Sequence, residues 1–185
     1  MNVLVIGSGG REHALAWRLS HSPRVDRVTT CPGNGGVESL GPRWTDVDPS
    51  DADALLARIR DEEIGFVVIG PEAPLVDGLA NRLRAEGIPT FGPDADAALL
   101  EGSKIHAKEF MARHGIPTAR YVVVQEESEI ETALAEFDRP TVVKADGLAA
   151  GKGVIVSRDH EEAAAAAREM ICESRFGDAG RRVII

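Results

Sequence analysis

The stretch "NVLVIGSGGREHALA" (Asn2–Ala16) decides the fold of the first half of the chain. Its first residues, Asn2–Ile6, are apolar and stop at Gly7, which is the pattern of a buried strand. A helix with one apolar face is predicted over Glu12–Ser20. The sequence therefore predicts a buried strand, a glycine-rich turn and a helix in direct succession.

Strands and helices continue to alternate as far as residue 93. Further strands are predicted at Val25–Cys31, Gly65–Ile69 and Ile88–Pro93. Helices are predicted from Ser50, which forms a capping box with Asp53, to Glu62 and over Leu75–Ala85, with "GPEAPLVDG" (70–78) as a loop before the second. The strand–helix alternation is the signature of an α/β fold with a doubly wound parallel sheet.

The second half has a different order of elements. Helices are predicted over Ser103–His114, from Ser128, with Glu131 as its capping partner, to Phe137, and over Asp159–Cys172. Strands are predicted at Arg120–Val124, on both sides of the glycine-rich loop 146–153, and in "RRVII" (181–185). An apolar run at the last residue would leave an unfinished sheet edge, so we expect an N-terminal fragment of a longer protein.

The composition excludes some partners. The chain has 185 residues and a formal net charge of −9, which argues against a nucleic-acid-binding surface. No apolar run approaches the roughly 20 residues of a membrane span, and no signal peptide precedes the first strand. We expect a cytoplasmic protein in which Cys31 and Cys172 are reduced thiols, because they form no CxxC or Cys/His cluster. The oligomeric state is not predicted.

The first glycine loop can bind an anion, because free backbone amides at a helix N-terminus attract phosphate or carboxylate. A dinucleotide fingerprint, G-x-G-x-x-G, would need glycine at position 12, where the sequence has Glu12. The acidic residue expected at the end of the second strand is also missing from "RVTTC" (27–31). A tight turn that binds no ligand remains an alternative. NAD binding is less favoured than a turn without a ligand.

Two further loops fall at the carboxyl edge of the predicted sheet, where ligands bind in open α/β sheets. They are "PGNGG" (32–36) and "GPEAPLVDG". Asn34, Glu72 and Asp77 could meet one small ligand there together with Arg11. Alternatively, the two acidic residues only cap the helix that follows.

The stretch "TVVKADGLAAGKGVIV" (141–156) predicts a polyphosphate site. Lys144 ends a strand, and burying its charge requires an anion. Asp146 could supply one as an ion pair, but the glycines at 147, 151 and 153 permit close backbone approach, and Lys152 adds a second cation. The spacing excludes a Walker A loop. Only four lysines occur beside 17 arginines, and two of them lie in this stretch.

Six motifs, in this order, resemble the phosphoribosylamine–glycine ligase family of ATP-grasp enzymes over essentially the whole chain. They are "GSGGREHA" (7–14), "PGNGG" (32–36), "GPEAPLVDGLA" (70–80), "GSKIHAKEFM" (102–111), "GIPTA" (115–119) and "VVKADGLAAGKGV" (142–154). The resemblance implies a substrate domain over residues 1–93 and the first part of an ATP-grasp region over 94–185. A glycine-rich flap there, Gly147–Gly153, would cover the nucleotide phosphates.

The same resemblance implies the site residues. Lys144 is the implied catalytic residue, and the implied ATP-binding residues are Lys104, Lys144, Asp146, Gly147, Gly151, Lys152 and Gly153. The implied substrate-binding residues are Gly9, Gly10, Arg11, Glu12, Asn34, Gly35, Pro71 and Glu72. His106 is interpreted as a packing residue and Lys108 as a solvated one, and the Mg²⁺ ligands are expected beyond residue 185.

The implied reaction uses ATP and Mg²⁺ to join glycine to 5-phosphoribosylamine through glycyl phosphate, giving glycinamide ribonucleotide, ADP and phosphate in purine biosynthesis. We expect the 185 residues alone to be inactive. Three alternatives stay open: another ATP-grasp carboxylate–amine ligase, a non-catalytic fragment that binds nucleotide or sugar phosphate, and, least favoured, a nicotinamide-dependent oxidoreductase.

Overall fold

The computed structural model describes residues 1–138, 141–149, 151–173 and 175–185. These residues form two compact units, Met1–Ala98 and Leu99–Ile185. Ala150, which belongs to the predicted flap, lies outside the described residues.

The first unit has the predicted doubly wound sheet. Its strands are β1 (Asn2–Gly7), β2 (Arg27–Pro32), β3 (Ile64–Ile69) and β4 (Thr90–Phe91). Its helices are α1 (Gly10–Ser20), α2 (Ala52–Asp61), α3 (Glu72–Val76) and α4 (Leu79–Ala85), and α5 (Ala95–Gly102) spans the boundary between the units. Every strand pair is parallel, in the order β2-β1-β3-β4, which confirms the predicted fold class.

Strand β1 is buried on both of its faces, which explains its continuous apolar sequence. Leu4 and Ile6 pack in one core cluster with side chains of α2 and α4. Val3 and Val5 point to the opposite face and pack with Ala16 of α1. Helices therefore cover both sides of the sheet, and only its edges and strand ends remain available for a ligand.

Two helix starts in the first unit differ from the sequence prediction. Asp51, not Ser50, caps α2, because its carboxylate accepts a hydrogen bond from Ala54 N at 3.0 Å. The segment 70–78, predicted to be a loop, contains α3, with Pro71 as its N-cap. Its Pro74 is tolerated because the first turn of a helix leaves its amides unpaired. Gly78, at φ +83°, then separates α3 from α4.

The second unit is built on an antiparallel sheet. Its strands are β5 (Val123–Val124), β6 (Val142–Ala145), β7 (Val154–Val156) and β8 (Val183–Ile184), in the order β5-β8-β6-β7. Its helices are α6 (Lys104–Arg113), α7 (Ile130–Leu134) and α8 (His160–Cys172). Ser103 caps α6, as the sequence predicts, and Asp159, the predicted first residue of the third helix, is the N-cap of α8.

Three predictions for the second unit were wrong. The strand predicted from Arg120 is reduced to the two residues of β5. Ser128 does not cap a helix: it lies in a 3₁₀ turn whose capping box is formed by Glu126 and Glu129, and α7 ends at Leu134. The strand in "RRVII" is not a sheet edge, because β8 pairs with β5 on one side and β6 on the other.

Helix α5 was not predicted, although a signal for it exists. Asp94 follows Pro93 and accepts a hydrogen bond from Ala97 N at 2.9 Å, which is the geometry of an N-terminal cap. The two cysteines are free, as predicted: Cys31 is buried in the first unit and Cys172 is exposed in the second.

Candidate functional site

The loops of the first unit meet at the carboxyl edge of its parallel sheet. Ile6 pairs with both Cys31 and Ile69, so β1, β2 and β3 end side by side. The following turns are joined by backbone hydrogen bonds, from Gly33 N to Gly7 O at 3.1 Å and from Gly70 N to Ile6 O at 3.0 Å. The predicted substrate-binding residues lie in these three turns and at the first residues of α1 and α3.

Glu12 fills the space between these turns. Its side chain is 5% exposed, and its Oε2 accepts a hydrogen bond from Gly9 N at 2.8 Å, which caps the start of α1. A Cβ added at Gly7 or Gly70 would lie 2.4 Å or 2.3 Å from atoms of Glu12. The glycines of this edge thus make room for a buried carboxylate. They do not form the open cradle that a dinucleotide pyrophosphate needs.

The polar groups around Glu12 are linked to one another. Arg11 Nε donates to Glu12 Oε1 at 2.8 Å, and its Nη2 lies 3.8 Å from Glu72 Oε2. Asn34 donates to Ser8 O at 2.9 Å and so ties the second loop to the first. The structure therefore brings Arg11 and Glu72 together, which were predicted to share a ligand, and adds Glu12, which only the family resemblance implied.

Gly10 and Gly35 at this edge remain open to a ligand, whereas Asp77, which was predicted to join them, lies elsewhere. A Cβ at Gly10 or Gly35 would meet no atom within 4 Å, so both backbones face free space. Asp77 instead forms the C-cap of α3 and lines a cavity of about 560 Å³ beside Asp51 at the start of α2. The expectation that Asp77 would share a ligand with Arg11 has no contact to support it among the described residues.

In the second unit, β6 and β7 have one apolar face that is partly exposed. Val143 and Ala145 of β6 pack into the core with α7 and α8. Lys144 pairs with Val154 of β7, so both side chains belong to the opposite face. Val154 is 44% exposed and Val156 is 73% exposed on that face. It is a flat apolar platform with a lysine on it.

A cavity of about 240 Å³ opens beside this platform. Its walls combine aromatic and aliphatic side chains with cations, which suits a flat, anionic ligand. The lining residues are Lys108, Ala119, Arg120, Tyr121, Phe137, Thr141, Val142, Lys144, Ile184 and Ile185. Lys108 Nζ lies 5.2 Å from the centre of the Tyr121 ring.

Two of the four lysines of the chain, Lys108 and Lys144, line this cavity. Lys104 and Lys108 are one turn apart on α6, and the charge of Lys144 acts on both. Burial lowers the pKa of Lys104, and repulsion by Lys144 adds to this against the attraction of Asp146 and Glu101. Burial, followed by repulsion from Lys144, also lowers the pKa of Lys108. Like charges held this close favour an anionic ligand.

Lys108 was interpreted as solvated rather than functional, and its ammonium is exposed but hydrogen-bonded. Its Nζ donates to Thr118 Oγ1 and to Ala119 O, each at 2.7 Å, and the side chain is half-buried. These bonds hold the ammonium at the cavity wall. A signal for this position is present in the sequence, because Lys104 and Lys108 are spaced by one helical turn.

Asp146 does not pair with Lys144. It is 5% exposed, and its carboxylate accepts hydrogen bonds from Ser103 Oγ at 2.8 Å and from Ile105 N at 2.8 Å. The other carboxylate oxygen, Oδ2, accepts a hydrogen bond from Arg182 Nη2 at 2.7 Å. The internal ion pair of the sequence interpretation exists, but its cation is Arg182, which the sequence did not single out.

The glycine-rich loop is fixed at both ends. A Cβ at Gly147 would lie 2.8 Å from Ala179 Cβ and 3.0 Å from Ala179 Cα, and one at Gly153 would lie 2.6 Å from Ala149 Cβ. Gly151, at φ +76°, faces open space. Lys152 is exposed, so it can approach a ligand without breaking internal contacts.

The described ranges contain no group of three or more His, Cys, Asp or Glu side chains suited to a metal ion. Within the part of the chain that the structure describes, no helix combines the length and the apolar character needed to cross a membrane.

A doubly wound sheet unit, followed by a lysine-bearing antiparallel sheet with a glycine-rich hairpin loop, defines an ATP-grasp type of protein. In agreement, residues 102–185 match "Phosphoribosylglycinamide synthetase, ATP-grasp (A) domain", and residues 1–101 match "Phosphoribosylglycinamide synthetase, N domain". The chain therefore belongs to the phosphoribosylglycinamide synthetase family.

Individual relatives agree with this assignment. The chain is 52% identical over 190 residues to a phosphoribosylamine–glycine ligase of Escherichia coli, covering 100% of this chain and 43% of the relative. The crystal structure of a phosphoribosylamine–glycine ligase from Thermotoga maritima is similar with a TM-score of 0.78 and 33% identity, again over 100% of this chain and 43% of the other. The chain thus spans less than half the length of these relatives.

A more distant structure shares the fold alone. It is the biotin carboxylase domain of the 2-oxoglutarate carboxylase from Hydrogenobacter thermophilus, solved with MgADP, ADP and bicarbonate. Its TM-score is 0.75 at 20% identity, over 99% of this chain and 43% of that one.

Proposed function

We propose that the protein carrying this chain joins glycine to 5-phosphoribosylamine at the expense of ATP, giving glycinamide ribonucleotide, ADP and phosphate. Family membership and the name of the relatives support this reaction. The chain contributes a substrate domain, residues 1–93, and the first part of the ATP-grasp region, residues 94–185. The partners are small molecules, and neither nucleic acid nor a membrane is required.

The observation that carries the proposal is a cluster of three lysines: Lys108 and Lys144 line the 240 Å³ cavity, and Lys104 lies one helical turn from Lys108. The apolar face with Val154 and Val156 suits a nucleotide base or ribose, while the ammonium groups suit its phosphates. Transfer of a phosphoryl group depends mainly on such positioned charge. Lys144 is the proposed catalytic residue, because it stands between the cavity and the glycine-rich loop.

The remaining nucleotide contacts are assigned to the loop after β6. Gly147, Gly151 and Gly153 would let the loop backbone approach the phosphates. The exposed Lys152 would add a positive charge on the solvent side of the ligand. Asp146 would act at the base of this loop. The lysine cluster fits a polyphosphate, and Mg²⁺ bound with it would offset the charge that develops on the transferred group. Its ligands are proposed to lie outside this chain.

The substrate domain is proposed to bind 5-phosphoribosylamine at its sheet edge. Gly9, Gly10, Arg11, Asn34, Gly35, Pro71 and Glu72 line the three turns there. Glu12 would support this surface from below rather than touch the ligand, because its carboxylate is buried and bonded to Gly9 and Arg11. The exposed carboxylate of Glu72 beside the guanidinium of Arg11 suits an amine and sugar hydroxyls.

The test measures ADP release by a full-length protein that carries these residues, with glycine and 5-phosphoribosylamine supplied. We expect glycine-dependent turnover, no turnover by the 185 residues alone, and a loss of about 100-fold in kcat/KM for Lys144→Met. Arg113→Met, which removes an exposed cation from the end of α6, is the matched control and should keep full activity. ADP release that depends on bicarbonate or formate instead of glycine would refute the proposed reaction.

A further inference from the structure

We propose that Asp146 is a positioning residue for Lys104, and that Arg182 neutralises the Asp146 carboxylate so that this anion does not cancel the positive charge that the lysine cluster offers to an anionic ligand. The inference rests on the proposed nucleotide-binding role of Lys104. It assigns Asp146 and Arg182 a task other than touching the nucleotide.

Asp146 holds the start of α6 through several independent bonds. Its Oδ1 accepts from Ser103 Oγ and from Ile105 N, each at 2.8 Å. Its backbone oxygen accepts from Lys104 N at 3.1 Å. The residues on both sides of Lys104 are therefore bonded to one carboxylate, which fixes where the lysine side chain begins.

The ammonium of Lys104 is fixed by the same segment. Its Nζ lies 3.3 Å from Asp146 O and 3.1 Å from Gly147 O, and donates to both. These acceptors are neutral carbonyls, so they orient the ammonium without cancelling its charge. In the described part of the second unit, no carboxylate lies within ion-pair distance of Lys104, and the Asp146 carboxylate pairs with Arg182 at 2.7 Å instead.

Arg182 is placed for this role by its backbone as well as its side chain. Asp146 N donates to Arg182 O at 3.0 Å, and Gly147 N donates to Ala179 O at 3.3 Å. The segment before β8 is thereby attached to the first residues of the glycine-rich loop. Arg182 is 49% exposed, so its charge can be removed without opening the core.

The two residues should act on Lys104 in opposite directions. The groups that act on its charge are Asp146, Lys144 and Glu101. Asp146→Asn removes an anion, so the pKa of Lys104 should fall further below its usual value. Arg182→Gln leaves the Asp146 anion uncompensated, so the pKa of Lys104 should rise. A residue that only holds the fold together would produce neither shift.

The first arm of the experiment is an NMR titration of the 185-residue chain with ¹³C-labelled lysine. Only four lysines contribute signals, so Lys→Arg variants assign them. We expect Lys104 to titrate at lower pH in Asp146→Asn and at higher pH in Arg182→Gln. Asp178→Asn and Arg181→Gln change the same charges at exposed positions and should leave Lys104 unmoved. If Asp146→Asn does not fold, Arg182→Gln decides by itself.

The second arm measures Mg·ATP binding by the full-length protein. Both variants should weaken binding by about tenfold, the equivalent of one hydrogen bond to a charged group. The inference is overturned if the pKa of Lys104 shifts in the same direction in both variants, or does not shift, even when the wild type binds Mg·ATP. Failure of the wild type to bind overturns the proposed function, and this role of Lys104 with it.

Discussion

Replacing Gly70 with alanine tests whether Glu12 occupies the space between the turns of the first unit. The backbone of Gly70 is not in the left-handed region, so alanine brings no conformational strain. Its Cβ would lie 2.3 Å from Glu12 Oε1 and 2.4 Å from Glu12 Cγ, whereas ordinary contacts begin near 3.4 Å. Glu12 must therefore move and give up its hydrogen bond to Gly9 N.

The structure sets the size of the effect. Overpacking of this kind costs about 1–3 kcal/mol, and a lost hydrogen bond to a charged group adds to it, so we expect Gly70→Ala to destabilise the unit by about 3 kcal/mol. Glu12→Ala should cost about 2 kcal/mol. In the Glu12→Ala background the new methyl group meets an empty space. The double variant should therefore be about 2 kcal/mol more stable than the sum of the single effects predicts.

Urea unfolding followed by tryptophan fluorescence measures these energies in the first unit alone. Both tryptophans of the chain, Trp17 and Trp44, lie in this unit, and Trp44 is 2% exposed. Gly10→Ala is the matched control, because a Cβ there meets no atom within 4 Å, and its effect should stay within about 0.5 kcal/mol. Equal costs for Gly70→Ala with and without the Glu12 side chain would refute the reasoning.

Three further predictions concern the thiols, the second core and the lysine cluster. Burial, with two nearby aspartates, raises the pKa of Cys31 to about 11, so at neutral pH a thiol reagent should modify Cys172 alone in the folded chain and both thiols in urea. Met170→Ala should destabilise the second unit by about 3 kcal/mol, seen as faster amide exchange in β6, whereas Ile116→Ala at an exposed position should not. Because the pKa of Lys104 is lowered, calorimetry on the full-length protein should show that Mg·ATP binding, which needs the protonated lysine, is lost on raising the pH at a lower pH than an ordinary lysine would give.

The elements of the fold were largely predictable where the pattern was strong. The apolar run of β1 predicted a strand buried on both faces, and Ser103 and Asp159 predicted the starts of α6 and α8. Short elements were harder to predict from the sequence, because only a few residues show the pattern of each one. Helix α3 has five residues with a proline among them, so local propensity gave no reason to expect it.

The sequence by itself determined the family-typical motifs and the parallel sheet that places three turns at one edge, and it led to the proposal that Lys104 and Lys144 bind phosphate. Tertiary structure alone decided how charge is distributed around them. Arg182 is far from Asp146 along the chain, and Glu12 is far from Gly70, yet each pair meets in the folded protein. A carboxylate's role depends on the groups that reach it through space and on its exclusion from water, and sequence spacing specifies neither.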